Sequence, residues 1–127
     1  MYRHILVGFN GTAGATRALH AALDLARPGD GEVRVLCVAE SRLALPPVSG
    51  WELELDRLGR ASAAGSAHGV PVRLAVATGR CGPAIVRFAA RQHSDLVVVG
   101  RRAGGHRCGG TAGHVGRRAP CPVLIVA

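Results

Sequence analysis

The chain contains no lysine: all sixteen of its basic residues are arginine, against eight acids, for a formal charge of +8. Such an excess raises the local concentration of polyanions without naming them. Arginine for lysine in an Ala/Gly/Val background fits a GC-rich coding sequence, which explains the total but not the placement. Beyond Asp95 there is no acid, while Arg101, Arg102, Arg107, Arg117 and Arg118 follow. Aromatics are only 3% of the residues, so Val, Leu, Ile and Ala must do the packing. The same scarcity removes the stacking platforms of single-stranded nucleic-acid binders. With no recognition motif either, no specific nucleic acid is expected as a partner. No apolar run reaches the ~18 residues of a membrane span, and the start of the chain reads as a strand, not a secretory signal. A cytoplasmic protein with no membrane partner is the expectation.

Chemistry-bearing clusters are equally scarce. Cys37, Cys81, Cys108 and Cys121 form no C-x-x-C pair. Only His106, Cys108 and His114 approach ligand spacing, with no second pair to complete a tetrahedral site, so no metal is expected. An enzyme is not expected, because no nucleophile, base and acid stand together. His106 and His114 read as exposed loop histidines.

The 127 residues suit one domain, 1–127. His4 to Phe9 (HILVGF) is a short apolar run closing on Asn10-Gly11, as a buried strand meeting a loop does. From Thr12 the pattern turns helical, with Leu19, Ala22, Leu23 and Ala26 at helical spacing, until Arg27-Pro28-Gly29 stops it. Val33 to Val38 is a second strand, Ser41 to Gly50 a loop, Trp51 to His68 a weakly amphipathic helix, and Val70 to Ala77 a third strand. A helix from Pro83 to His93 follows, then the uninterrupted run Leu96 to Val99, whose continuity predicts burial on both faces. A Gly/Arg loop, a short helix from Gly110 to Arg118 and a last strand from Pro122 to Ala127 complete the chain. Strands alternating with helices predict an α/β domain with a parallel sheet covered on both faces. Ligands of such sheets bind beyond the carboxyl ends of the strands, where the strand order reverses. The first and fourth strands each end in a glycine-bearing loop, Asn10-Gly11-Thr12 and Gly100 onward, which nominates those two loops as one site.

The segments "ILVGFNGTAGATRALHAALDLA", "GRCGPAIVRFAARQHSDLVVVG" and "APCPVLIVA" together resemble the universal stress protein family, over the whole chain. The resemblance implies a single Rossmann-like domain whose five-stranded parallel sheet has the order 3-2-1-4-5. It also implies a homodimer and, in one branch of the family, an ATP site. That branch carries an Asp after the first strand and a loop of Gly, two residues, Gly, nine residues, then Gly-Ser or Gly-Thr. Here Asn10 replaces the Asp and Ala103 replaces the second glycine. The distal glycine is Gly109, or Gly110 followed by Thr111; from Ala103 to Gly109 only five residues intervene. A shorter loop redraws the arc of N–H groups that would hold a phosphate, while arginine can supply charge-assisted bonds instead.

The expected function is therefore that of a small regulatory protein which binds ATP or another adenine nucleotide weakly, with no metal of its own. Its candidate residues are Phe9, Asn10, Gly11, Thr12, Val38, Gly100, Arg101, Arg102, Ala103, Gly109, Gly110 and Thr111. Thr12 and Thr16 are read first as cap and first-turn hydroxyls, and Val38 as a core-like residue where the family packs adenine. The alternative is a nucleotide-free interaction module with a degenerate loop. The apolar last strand, Pro122 to Ala127, is the expected seam of the homodimer, because as a bare edge it would expose an unpaired ladder.

Overall fold

The computed structural model describes residues 2–26, 30–39, 50–101 and 110–127. The elements run β1 (His4–Gly8), α1 (Ala13–Ala26), β2 (Glu32–Ala39), α2 (Gly50–His68), β3 (Val72–Thr78), α3 (Cys81–Arg91), β4 (Leu96–Gly100), α4 (Gly110–Arg118) and β5 (Val123–Val126). All the strand pairs are parallel, and the sheet order is β3-β2-β1-β4-β5. Order and direction agree with the expectation, and β1 lies at the centre with Ile5 opposite both Val33 and Leu96.

Side chains of a strand alternate between faces, and here the alternation divides two cores. Ile5, Val7 and Phe9 of the first strand segment join Val33, Val35, Leu96 and Val98 on the side of α1 and α2. Leu6, Leu36, Val97 and Val99 point the other way, toward Ile85 and Ala89 of α3 and Val115 of α4. Burial on both faces is why β1 and β4 read as unbroken apolar runs.

Element boundaries moved where backbone chemistry outweighs side-chain pattern. β3 begins at Val72 rather than Val70: Pro71 has no N–H to give, although its carbonyl still accepts from Val33 N at 3.1 Å. α3 begins at Cys81, two residues before Pro83, because first-turn N–H groups have no partner within the helix and proline loses nothing there. Its other end closes earlier than His93, on an αL cap. Ser94 N donates to Ala89 O at 3.0 Å and His93 N to Ala90 O at 3.4 Å, with His93 at φ 53°.

Two polar devices fix the layers. At the amino end of the sheet, Asp95 accepts from Arg3 N and His4 N at 2.9 and 3.0 Å, and its own N–H returns a bond to His4 O at 2.9 Å. Beside it, Glu32 meets Arg34 at 3.3 Å, Arg73 at 3.2 Å and His4 at 3.4 Å, and Arg34 also donates to Gln92. Burial works against ionisation of Glu32, but the hydrogen bond and charge of Arg34, with Arg73 and His4, hold its carboxyl below the usual range. On the α1–α2 face, His68 Nδ1 donates to Ala64 O at 2.9 Å while Nε2 faces Asp24 at 3.7 Å. The His20 ring stands 5.3 Å from that of His68. The pair holds the end of α2 against α1.

Candidate functional site

Asn10, Gly11 and Thr12 leave the carboxyl end of β1, between the ends of β2 and β4, where the strand order reverses. Thr12 is the N-cap of α1: its hydroxyl oxygen accepts from Ala15 N at 3.2 Å and the hydroxyl proton goes to Asn10 Oδ1 at 2.7 Å. Thr12 N also donates to Asn10 Oδ1, at 3.1 Å. An atom that receives two donors must be the amide oxygen, so the NH₂ group of Asn10 is the half left for other partners. Thr16 returns its hydroxyl to Thr12 O at 2.9 Å. Thr12 thus caps the helix and Thr16 supplies a first-turn hydroxyl, the two roles read from the sequence. Gly11 sits at φ +80°, a conformation that side chains rarely adopt.

The second loop meets the first through backbone. A Cβ on Gly100 would lie 2.4 Å from Gly14 O and 2.8 Å from Ala15 N, and one on Gly14 would lie 2.8 Å from Arg101 O. Two glycines therefore let the first turn of α1 rest directly on the end of β4. Arg101 N in turn donates to Val126 O at 2.7 Å, tying that loop to β5. The structure brings together Asn10, Gly11, Thr12, Gly100 and Arg101. Val38, half-buried at the end of β2, packs on the α3/α4 side with Ala75 and Ala77. The side chain of Phe9 is buried in the α1/α2 core, so what it offers a ligand is backbone. Gly110, at φ +63°, opens α4, and Thr111 is half-buried in its first turn. Since α1 and α4 follow β1 and β4, both helix N-termini lie at this end of the sheet, where their dipoles favour anions. Arg102, Ala103, His106, Arg107, Cys108 and Gly109 fall outside the described residues.

His114 corrects its reading as an exposed loop residue. It sits half-buried on α4, 3.0 Å from where a Cβ on Gly82 of α3 would stand, so the absent side chain at Gly82 makes room for the imidazole. Cys121 is also half-buried; burial, and then the charge of Asp95, push its thiol pKa up, away from reactivity. Among the described residues no group of three His, Cys, Asp or Glu side chains is placed to hold a metal ion, and no helix is long and apolar enough to cross a membrane.

Sequence pattern did not mark Arg57 and Arg60, half-way along α2. Arg60 Nη1 donates to Gly11 O at 3.4 Å, and its guanidinium carbon lies 5.6 Å from the centroid of the Phe9 ring. Arg57 Nε would stand 3.5 Å from a Cβ on Gly11. The available signal was two arginines three positions apart, which shared one helix face. Nothing in that spacing names the loop they cover.

Together these features define a doubly wound, Rossmann-like α/β domain with a candidate site of glycine, Asn10 and arginine at its switch point. The family model described as the Universal stress protein family matches residues 1–127, and the chain belongs to that family. It is 29% identical over 140 aligned residues to universal stress protein MJ0531 of Methanocaldococcus jannaschii, across 99% of this chain and 82% of that protein. Solved structures share the fold. A universal stress protein in complex with cAMP aligns at TM-score 0.82 and 22% identity, covering 99% of this chain and 97% of the other. A universal stress protein family member from Arabidopsis thaliana with AMP bound aligns at 0.80 and 21%, covering 98% and 90%.

Proposed function

We propose that this chain is a small cytoplasmic regulatory protein that binds an adenine nucleotide weakly at the loops after β1 and β4, without metal and without catalysing a reaction. The observation that carries the reading is the backbone seating of α1 on Gly100, which joins the Asn10–Thr12 and Gly100–Arg101 segments into one surface at the switch point. Two fold neighbours were solved with AMP and cAMP, and the same class of ligand suits this surface. Gly11, Gly100 and Arg101 frame it; Asn10 donates to ribose or base; Thr12 and Val38 border it. Arg102, Ala103, Gly109, Gly110 and Thr111 belong to the phosphate end. ATP, with the largest charge, is the ligand expected to gain most from the basic loop.

Titration calorimetry at low salt with ATP, AMP, cAMP and adenosine tests this directly, alongside mass spectrometry of nucleotide released on denaturing the purified protein. Affinity that falls as salt is added agrees with the reading. No heat at millimolar nucleotide and no released nucleotide would leave the nucleotide-free interaction module. That second reading draws on one observation: Asn10 Oδ1 is already taken by Thr12.

The assembly we propose is a homodimer through residues Pro122 to Ala127. Leu124 and Ile125 of β5 are 38% and 37% exposed, and β4 is the neighbour of β5 in the described sheet. Light scattering should give twice the chain mass, and Ile125→Asp should halve it. A wild-type monomer at micromolar concentration, or a dimer indifferent to the substitution, refutes the seam.

A further inference from the structure

We infer that Arg60 of α2 is an anion-recognising residue of the ligand site, binding the phosphate of the nucleotide from the α2 side of the β1 loop. The inference rests on the nucleotide reading above but assigns the charge to a different element from the Gly/Arg loop after β4. An arginine on an exposed helix face ordinarily samples many rotamers. Here the guanidinium has two anchors at the carboxyl end of β1: the face of the buried Phe9 ring, 5.6 Å from its carbon, and the Gly11 carbonyl, 3.4 Å from Nη1. Gly11 contributes by absence, since a Cβ there would come within 3.1 Å of Arg60 Nη1. One of five N–H donors faces Gly11, and the residue is exposed. The planar fork therefore presents its remaining donors beside the loop.

Arg57 strengthens the case. Its Nε stands 3.5 Å from the same empty Cβ position, so the two guanidinium nitrogens lie within about 7 Å of each other by geometry. A phosphate placed beside Gly11 would meet both positive groups. A phosphate ester fits the bidentate geometry that arginine favours.

Calorimetry on the full chain at low salt, comparing AMP with adenosine, tests the assignment. Arg60→Met should weaken AMP about tenfold while leaving adenosine within about twofold, because only the phosphate meets the charge. Arg60→Lys, which keeps the charge on a comparable stem, should recover part of the AMP affinity and guards against a Met variant that fails to fold. Equal weakening of AMP and adenosine would assign Arg60 to propping the loop, and unchanged AMP would remove it from the site; either result overturns the inference. Should the wild type bind neither AMP nor adenosine, the nucleotide reading falls and inorganic pyrophosphate decides Arg60 alone. Pyrophosphate bound by the wild type and lost in Arg60→Met upholds the anion role, and no pyrophosphate binding to the wild type overturns it.

Discussion

Adding one methyl group at Gly100 and at Gly59 should move stability in opposite directions. At Gly100 the new Cβ would meet Gly14 O at 2.4 Å, Gly14 C at 2.5 Å and Ala15 N at 2.8 Å. All three are backbone atoms, so no side chain can rotate aside, and the first turn of α1 must lift off β4. Overpacking of this kind costs about 3 kcal/mol when relief requires backbone movement. For a chain of this size each kcal/mol shifts Tm by roughly 4 °C, so Gly100→Ala should lower Tm by about 12 °C. Gly59, inside α2, has nothing within 4 Å of its Cβ position. Alanine there gains helix propensity, about 0.5–1 kcal/mol, and should raise Tm by about 2–4 °C. Thermal unfolding followed by circular dichroism, with urea midpoints as a second measure, reads both. A Gly100→Ala protein melting within about 3 °C of wild type would refute the claim that α1 is seated on β4 through glycine backbone. If the seating also builds the site, the same variant should lose nucleotide affinity while Gly59→Ala keeps it.

Three further substitutions probe separate parts of the fold. Thr12→Ala removes the α1 cap and should cost about 1 kcal/mol; since it also takes away one of the two donors on Asn10 Oδ1, leaving only the Thr12 N–H, nucleotide affinity should change as well, whereas a mere helix-end effect would leave calorimetry untouched. His93→Gly should stabilise by about 1 kcal/mol, because His93 holds an αL conformation (φ 53°) that costs an L side chain roughly that much; a lower urea midpoint would refute it. Glu32 has a folded pKa below its unfolded one, so its stabilisation is full above an unfolded value near 4.3 and fades as pH falls through the lower folded value. Glu32→Gln should accordingly lose about 1 kcal/mol at pH 7 and converge on wild type in acid. A gap that stays constant down to pH 3 would show that the carboxylate charge is not what stabilises.

What was legible in the sequence follows the strength of the physical signal. β1 and β4 announced themselves because burial on both faces leaves no room for a polar residue between Ile5 and Val7 or between Leu96 and Val99. The start of β3 lies two residues beyond the one its pattern suggests because Val70 is apolar and buried although it lies outside the ladder, donating instead to Gly65 O. Hydrophobicity reports burial, and ladder membership depends on an N–H that Pro71 lacks. His114 was misread for a related reason. Gly113 and Gly116 around it and the arginines at 117 and 118 suggest an exposed position, whereas the residue that makes room for its ring, Gly82, lies thirty-two positions away on α3.

The candidate site divides along the same line. Asn10, Gly11, Thr12 and Gly100 could be nominated from sequence because each sits immediately after a strand that announces itself, and a parallel sheet fixes which ends of strands share a face. Arg57 and Arg60 could not, since a basic pair on a helix is usually a solvated face, and only tertiary packing of α2 on β2, β3 and α1 carries them to Gly11. That packing has identifiable causes: Leu58 and Ala61 settle against the α1/α2 core, and His68 clasps α1 through Asp24 and His20. Residues 57 and 60 flank 58 and 61 by one position, and on a helix of 3.6 residues per turn they stand on the shoulder of the buried stripe. A guanidinium launched from that shoulder reaches past the core to the rim of the sheet. The same apolar spacing that seats α2 thus decides that its arginines overhang the β1 loop, and a shift of α2 by one residue would carry both charges away from it.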